Sequence, residues 1–161
     1  MGAAVHTANE ESAILLTMAD VSARLQEIIE EITGNEALLE MLETEAATEM
    51  LNWGTEMATS LVKKTKDEAA LLPRLKAVRQ TMRSVGNWAA GKYVDPADRV
   101  RLRDNLLQHF KVIYGEDANL PPAEKLGELI NQVDDHTLTP YQLVKKLRSM
   151  LESYVSGGIR A

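Results

Sequence analysis

Two Asn-Trp pairs, each with a neighbouring glycine, are the most unusual local features of the chain. The first lies in Glu49-Met-Leu-Asn52-Trp53-Gly54-Thr-Glu56, the second in Gly86-Asn87-Trp88. Helical periodicity runs through both, and a mid-helix glycine costs about 1 kcal/mol relative to alanine, so a close approach to the backbone is the natural reason to keep one there. One reading places Trp53, Trp88, Asn52 and Asn87 around a shared pocket, with Glu49 and Glu56 as polar anchors. The plainer reading buries both indoles in the core and is favoured.

Other chemistry has less support. Carboxylates recur at helical spacing (Glu45 with Glu49, Glu27 with Glu31), but a di-iron helical site also needs Glu-x-x-His motifs, and none occurs. His6, His109 and His136 each lack an acid three or four residues before them, so neither a metal nor a cofactor is expected. His109 has the side chain of a general base, yet it sits beside Phe110 and three residues after Leu106, as a boundary histidine would. No Gly-x-Ser-x-Gly, Walker-type loop or Gly-x-Gly-x-x-Gly is present. The expectation leans away from an enzyme.

Charge is distributed unevenly. Residues 10–56 hold twelve acids against Arg24 alone, a balance of −11, whereas residues 74–111 hold nine bases against three acids, a balance of +6. Mutual pairing of the two regions is the plain expectation. The sharper one is a patch for an anionic partner, built from Arg79 and Arg83 on one helix and Arg99, Arg101 and Arg103 on the next. Against nucleic acid stands the net charge of the whole chain, −6.

Positioning these residues requires helices. From Glu10 the residues Ile14, Met18, Val21, Leu25, Ile28 and Ile32 recur at spacings of four and three, an a/d seam of nearly three heptads. Gly34 and Asn35 then predict a tight turn into a second long helix, from about Glu36 to Lys66, with the stripe Leu39, Leu42, Ala46, Met50, Trp53, Met57 and Leu61. A third helix carries Leu75, Val78, Met82, Val85 and Trp88, with Pro73 marking either its first turn or a kink. Asp95-Pro96 starts a fourth, bearing Leu102, Leu106, Phe110 and Ile113 with Val100, Leu107 and Tyr114 beside them, and Gly115 ends it. A short fifth helix spans about Ala123 to Val133, and Thr139-Pro140 starts a last one that presents Leu143, Leu147, Met150, Leu151 and Tyr154.

No alternating run suggests a strand, and only 4% of the 161 residues are aromatic. The fold class expected is all-α: a bundle of about five to six helices, two long N-terminal ones in an antiparallel hairpin followed by shorter C-terminal ones. One helical domain over residues 10–155 is expected between flexible tails at 1–9 and 156–161. Cysteine is absent, which excludes disulfides, thiolate chemistry and cysteine-bound zinc. With no stretch long and apolar enough to span a bilayer and no signal-like start, no membrane partner is expected and the cytoplasm is the expected location. The functional expectation is a non-enzymatic protein-protein interaction module, as adaptor or homodimer. Nucleic-acid binding and a small-ligand pocket near the two Trp residues are the alternatives.

Overall fold

The structure is a computed structural model. It describes residues 44–156, 158 and 159, and in addition Ala23 and Gln26, both helical and exposed. The expected turn at Gly34, the start of the second helix and the 1–9 tail lie outside the described residues.

Five α-helices form the described part: α1 Thr44–Lys64, α2 Glu68–Ala89, α3 Pro96–Tyr114, α4 Ala123–Asn131 and α5 Pro140–Tyr154. A 3-10 turn, Gln132–Asp134, follows α4, so that expected helix tightens where it was drawn on to Val133. Among the described residues there is no strand. The chain is mostly helical, and all-α is its fold class.

The helix starts follow their capping residues. Asp67 accepts from the Ala69 N–H at 3.0 Å and Asp95 from the Ala97 N–H at 2.9 Å, with Pro96 in the first turn where its missing N–H costs nothing. Thr139 and Gln142 cap each other reciprocally at α5. Gly115, at φ 110°, ends α3 in a conformation that only glycine adopts without strain. α1 stops at Lys64 rather than Lys66, because Asp67 is already committed to capping α2.

Pro73 lies inside α2, in its second turn. The helix is started one turn earlier by Asp67, so proline neither opens it nor separates two helices. Its missing N–H leaves the Ala69 carbonyl without the usual partner.

The stripes read from the sequence form the core. Met50, Trp53, Met57 and Leu61 of α1 meet Leu75, Val78, Met82, Val85 and Trp88 of α2, all buried. Leu102, Leu106, Phe110 and Ile113 of α3 extend it, α4 adds Leu126, Leu129 and Ile130, and α5 adds Leu143, Leu147 and Leu151. Val100, expected beside the α3 stripe, is 47% exposed. Contacts run α1 to α2, α2 to α3 and α3 to α4, while α5 packs on α1 and reaches α2.

The C-terminus departs from expectation. Residues 156–161 were expected to leave the domain at the paired glycines, yet Val155 and Ile159 are both buried. Gly158, at φ 73°, turns the chain back toward α1, where the Lys64 side chain lies beside it.

Candidate functional site

That returning tail closes a cleft of about 160 Å³ at one end of the helices. Its floor is aromatic and apolar: Trp53 and Met57 from α1, Tyr114 from the last turn of α3, Val155 and Ile159 after α5. Ser60 also lines it, and the exposed Glu56, Lys64 and Glu152 form the rim. Trp53, Glu56, Ser60 and Lys64 follow one another at spacings of three and four, which lines them along a single face of α1.

Trp53 is 1% exposed, and its indole N–H lies beside the Tyr114 hydroxyl, whose oxygen can accept from it. That contact favours the phenolate. Burial nevertheless dominates and pushes the Tyr114 phenol up to about 12, with Glu152 adding to the rise and Arg148 opposing it. At neutral pH Tyr114 is therefore a phenol, able to donate.

Behind the rim, Arg148 of α5 gathers three carboxylates. It donates from Nε to Glu152 at 2.8 Å, from one terminal nitrogen to Glu49 at 3.2 Å and from the other to Glu56. This pins α5 to α1 and explains why Glu49 and Glu56 share a face. Both acids pair with Arg148 of α5.

The two indoles do not share a pocket. A three-residue turn joins α1 to α2, so α2 runs back along α1; Trp53 lies about 16 Å from its end of that hairpin and Trp88 about 30 Å. Trp88 is fully buried and donates to the Ile130 carbonyl at 2.8 Å, tying the end of α2 to the last turn of α4. Asn52 is exposed and Asn87 half-buried; neither lines the cleft beside Trp53. Of the six residues read as one pocket, Trp53 and Glu56 line this cleft, and Glu49 reaches it only through Arg148.

The basic residues are engaged within the chain. Arg99 donates to both Asp134 oxygens, at 2.5 and 2.7 Å, and to the Tyr93 carbonyl at 2.8 Å. Arg101 pairs with Asp98 and Arg103 with Asp104. Arg79 and Arg83 on α2 also have interactions of their own. Surface pairs of this kind contribute little stability, but they lower the charge that α3 offers an anion.

Two further groups have structural work. Arg74 is 7% exposed and donates to the Val112 and Ile113 carbonyls, at the negative end of α3, and to the Thr65 hydroxyl at 3.0 Å. A larger cleft of about 610 Å³ opens beside it, between Pro73 and Lys111. His109 is half-buried; desolvation lowers its imidazole pKa, and its Nδ1 has no hydrogen-bond partner, so no carboxylate orients the ring from that side. Among the described residues no three His, Asp or Glu side chains gather where one metal ion could be held. No helix among them is long and apolar enough to cross a membrane.

No protein-family model, no curated protein and no solved structure matches this chain.

The sequence places Tyr114 beside the α3 stripe, but it does not mark Tyr114, Ser60, Lys64, Arg148 and Glu152 as companions of Trp53. The i, i+3 and i+7 spacing of Trp53, Glu56 and Ser60 carried a local signal. The approach of Tyr114, sixty-one positions away, left none.

Proposed function

We propose that the protein is a non-enzymatic helical interaction module of the cytoplasm. Its first helix folds back at Gly34-Asn35 as an antiparallel hairpin with α1, completing a bundle, and its seam from Ile14 to Ile32 docks on a helix of another protein or of a second copy. The observation that carries this reading is the environment of Ala23 and Gln26. With Ile14, Val21 and Ile28 at heptad position d and Met18, Leu25 and Ile32 at position a, these two residues fall at f and b, the outer positions, and both are helical and exposed. Asp20, Glu27 and Glu30 fall at c and f, away from the seam, while Arg24 and Glu31 fall at the g positions that flank it. The pairing of Arg99, Arg101 and Arg103 with carboxylates of their own chain weighs against the nucleic-acid alternative.

The test compares the full chain with the doubly substituted Leu25→Asp/Ile28→Asp and Arg99→Glu/Arg103→Glu chains. Sedimentation velocity is run across a wide concentration range, and each tagged chain is used for capture from native extract with and without nuclease. The expected result is a dimer, or a stoichiometric protein partner that survives nuclease, lost with the seam variant and kept with the arginine variant. A monomer whose bound material disappears with nuclease or with the arginine variant overturns the proposal. So does a seam variant that loses thermal stability yet keeps every partner, since that seam packs only within its own chain.

A further inference from the structure

Ile159 is 5% exposed although it lies beyond the last helix, and it lines the same cleft as Trp53, Met57 and Tyr114. The chain reaches that place through Val155, buried at the end of α5, and through Gly158, whose φ of 73° turns it back toward α1. Nothing polar fastens it there. The Gly158 N–H donates to the Val155 carbonyl at 3.1 Å, a bond inside the turn itself. Among the described residues no hydrogen bond or ion pair joins Gly158 or Ile159 to α1, α2 or α3.

Magnitudes decide how firmly such a closure holds. Its gain is the burial of one isoleucine side chain, reduced by the cleft of about 160 Å³ that leaves part of that side chain without neighbours. Its cost is the ordering of the backbone between Val155 and Ile159, a stretch with two glycines, the residue type that loses most freedom on folding. These terms are of the same size and nearly cancel. The helices at this end are held differently. Arg148 ties α5 to Glu49 and Glu56 of α1, and Leu147 and Leu151 are buried in the core.

We infer that Gly158 and Ile159 form a lid that opens on its own while the helices stay folded, and that its open state uncovers Trp53, Met57 and Tyr114 to solvent. Val155 is the anchor and Gly158 the hinge. Openings of this kind belong to the low-stability end of the range that folded proteins show. The lid controls access to the aromatic face of α1 and α3, a device separate from the seam of the first helix proposed above, and its test involves no partner.

Hydrogen exchange of the two indole N–H groups, followed in proton-nitrogen correlation spectra of the full chain at several low urea concentrations, reads the lid directly. Trp53→Phe assigns the two peaks. The Trp88 N–H, fully buried on the Ile130 carbonyl near the last turn of α2, is the reference. Trp53 is expected to exchange at least about tenfold faster than Trp88, at a rate that barely responds to urea because opening the lid exposes little surface. Ile159→Ala should raise the Trp53 rate about tenfold by removing most of the buried side chain. Gly158→Ala should raise it about fivefold or more: a Cβ there meets Lys64 Nζ at 3.5 Å, an ordinary contact, so the strain comes from the positive φ. Neither substitution should move Trp88. Equal rates for the two indoles with one urea dependence overturn the inference, since the lid then opens only with the whole fold. A Trp53 rate unchanged in Ile159→Ala, or raised there in equal proportion with Trp88, overturns it as well.

Discussion

Arg99 holds both carboxylate oxygens of Asp134 while its Nε donates to the Tyr93 carbonyl, so one side chain joins the approach to α3, its first turn and the 3-10 turn after α4. The guanidinium holds the Asp134 carboxyl below the usual carboxylate range. A depressed carboxyl stabilises the fold above its unfolded pKa, near 4, and that stabilisation is lost as the pH falls through the folded value. Urea midpoints measured at pH 7 and pH 3 should therefore fall further for the wild type than for Asp134→Asn. Asp134 is exposed, so the difference is expected to be small.

Tyr114 predicts the opposite limb. Burial raises its phenol to about 12 from an ordinary value of 10. Between those values the unfolded chain sheds the proton first, so stability declines as the pH rises through that window. The two-unit displacement corresponds to roughly 2–3 kcal/mol at its upper end. Denaturant titrations at pH 9 and pH 11.5 should show a steeper loss for the wild type than for Tyr114→Phe, which has no phenol to titrate.

Arg74 is held by acceptors that only a planar fork can serve together: the Val112 and Ile113 carbonyls and the Thr65 hydroxyl. Lysine keeps the charge but not the fork. Arg74→Lys is expected to lose about 2–3 kcal/mol by urea denaturation, since two carbonyls at the end of α3 lose their donor. Arg74→Met should lose a similar amount. A Lys variant as stable as the wild type would show that charge alone holds this corner.

Helix starts were legible because their causes are local. Asp67, Asp95-Pro96 and Thr139-Pro140 act on backbone groups two or three residues away, and the stripe from Met50 to Leu61 follows from 3.6-residue periodicity. Pro73 was ambiguous from sequence for the same reason. Its effect depends on where the helix around it begins, and Asp67 settles that.

The candidate site was much less legible. Trp53 and Trp88 have the same residue before them and a glycine nearby, and both fall on apolar stripes and are buried. One found the Ile130 carbonyl and the other a cleft, an outcome set by which helix end arrives from more than forty residues away. Arg148 and Ile159 carry no local sign that they will meet α1.

The sequence by itself determined the helices, their apolar faces and the absence of thiol chemistry, since these depend on residue type and short spacing. The tertiary structure decided which donors are satisfied, which charges neutralise one another and where the chain end closes a cleft. A hydrogen bond or ion pair needs its partner within about 3 Å, and that distance is set by the packing of whole helices.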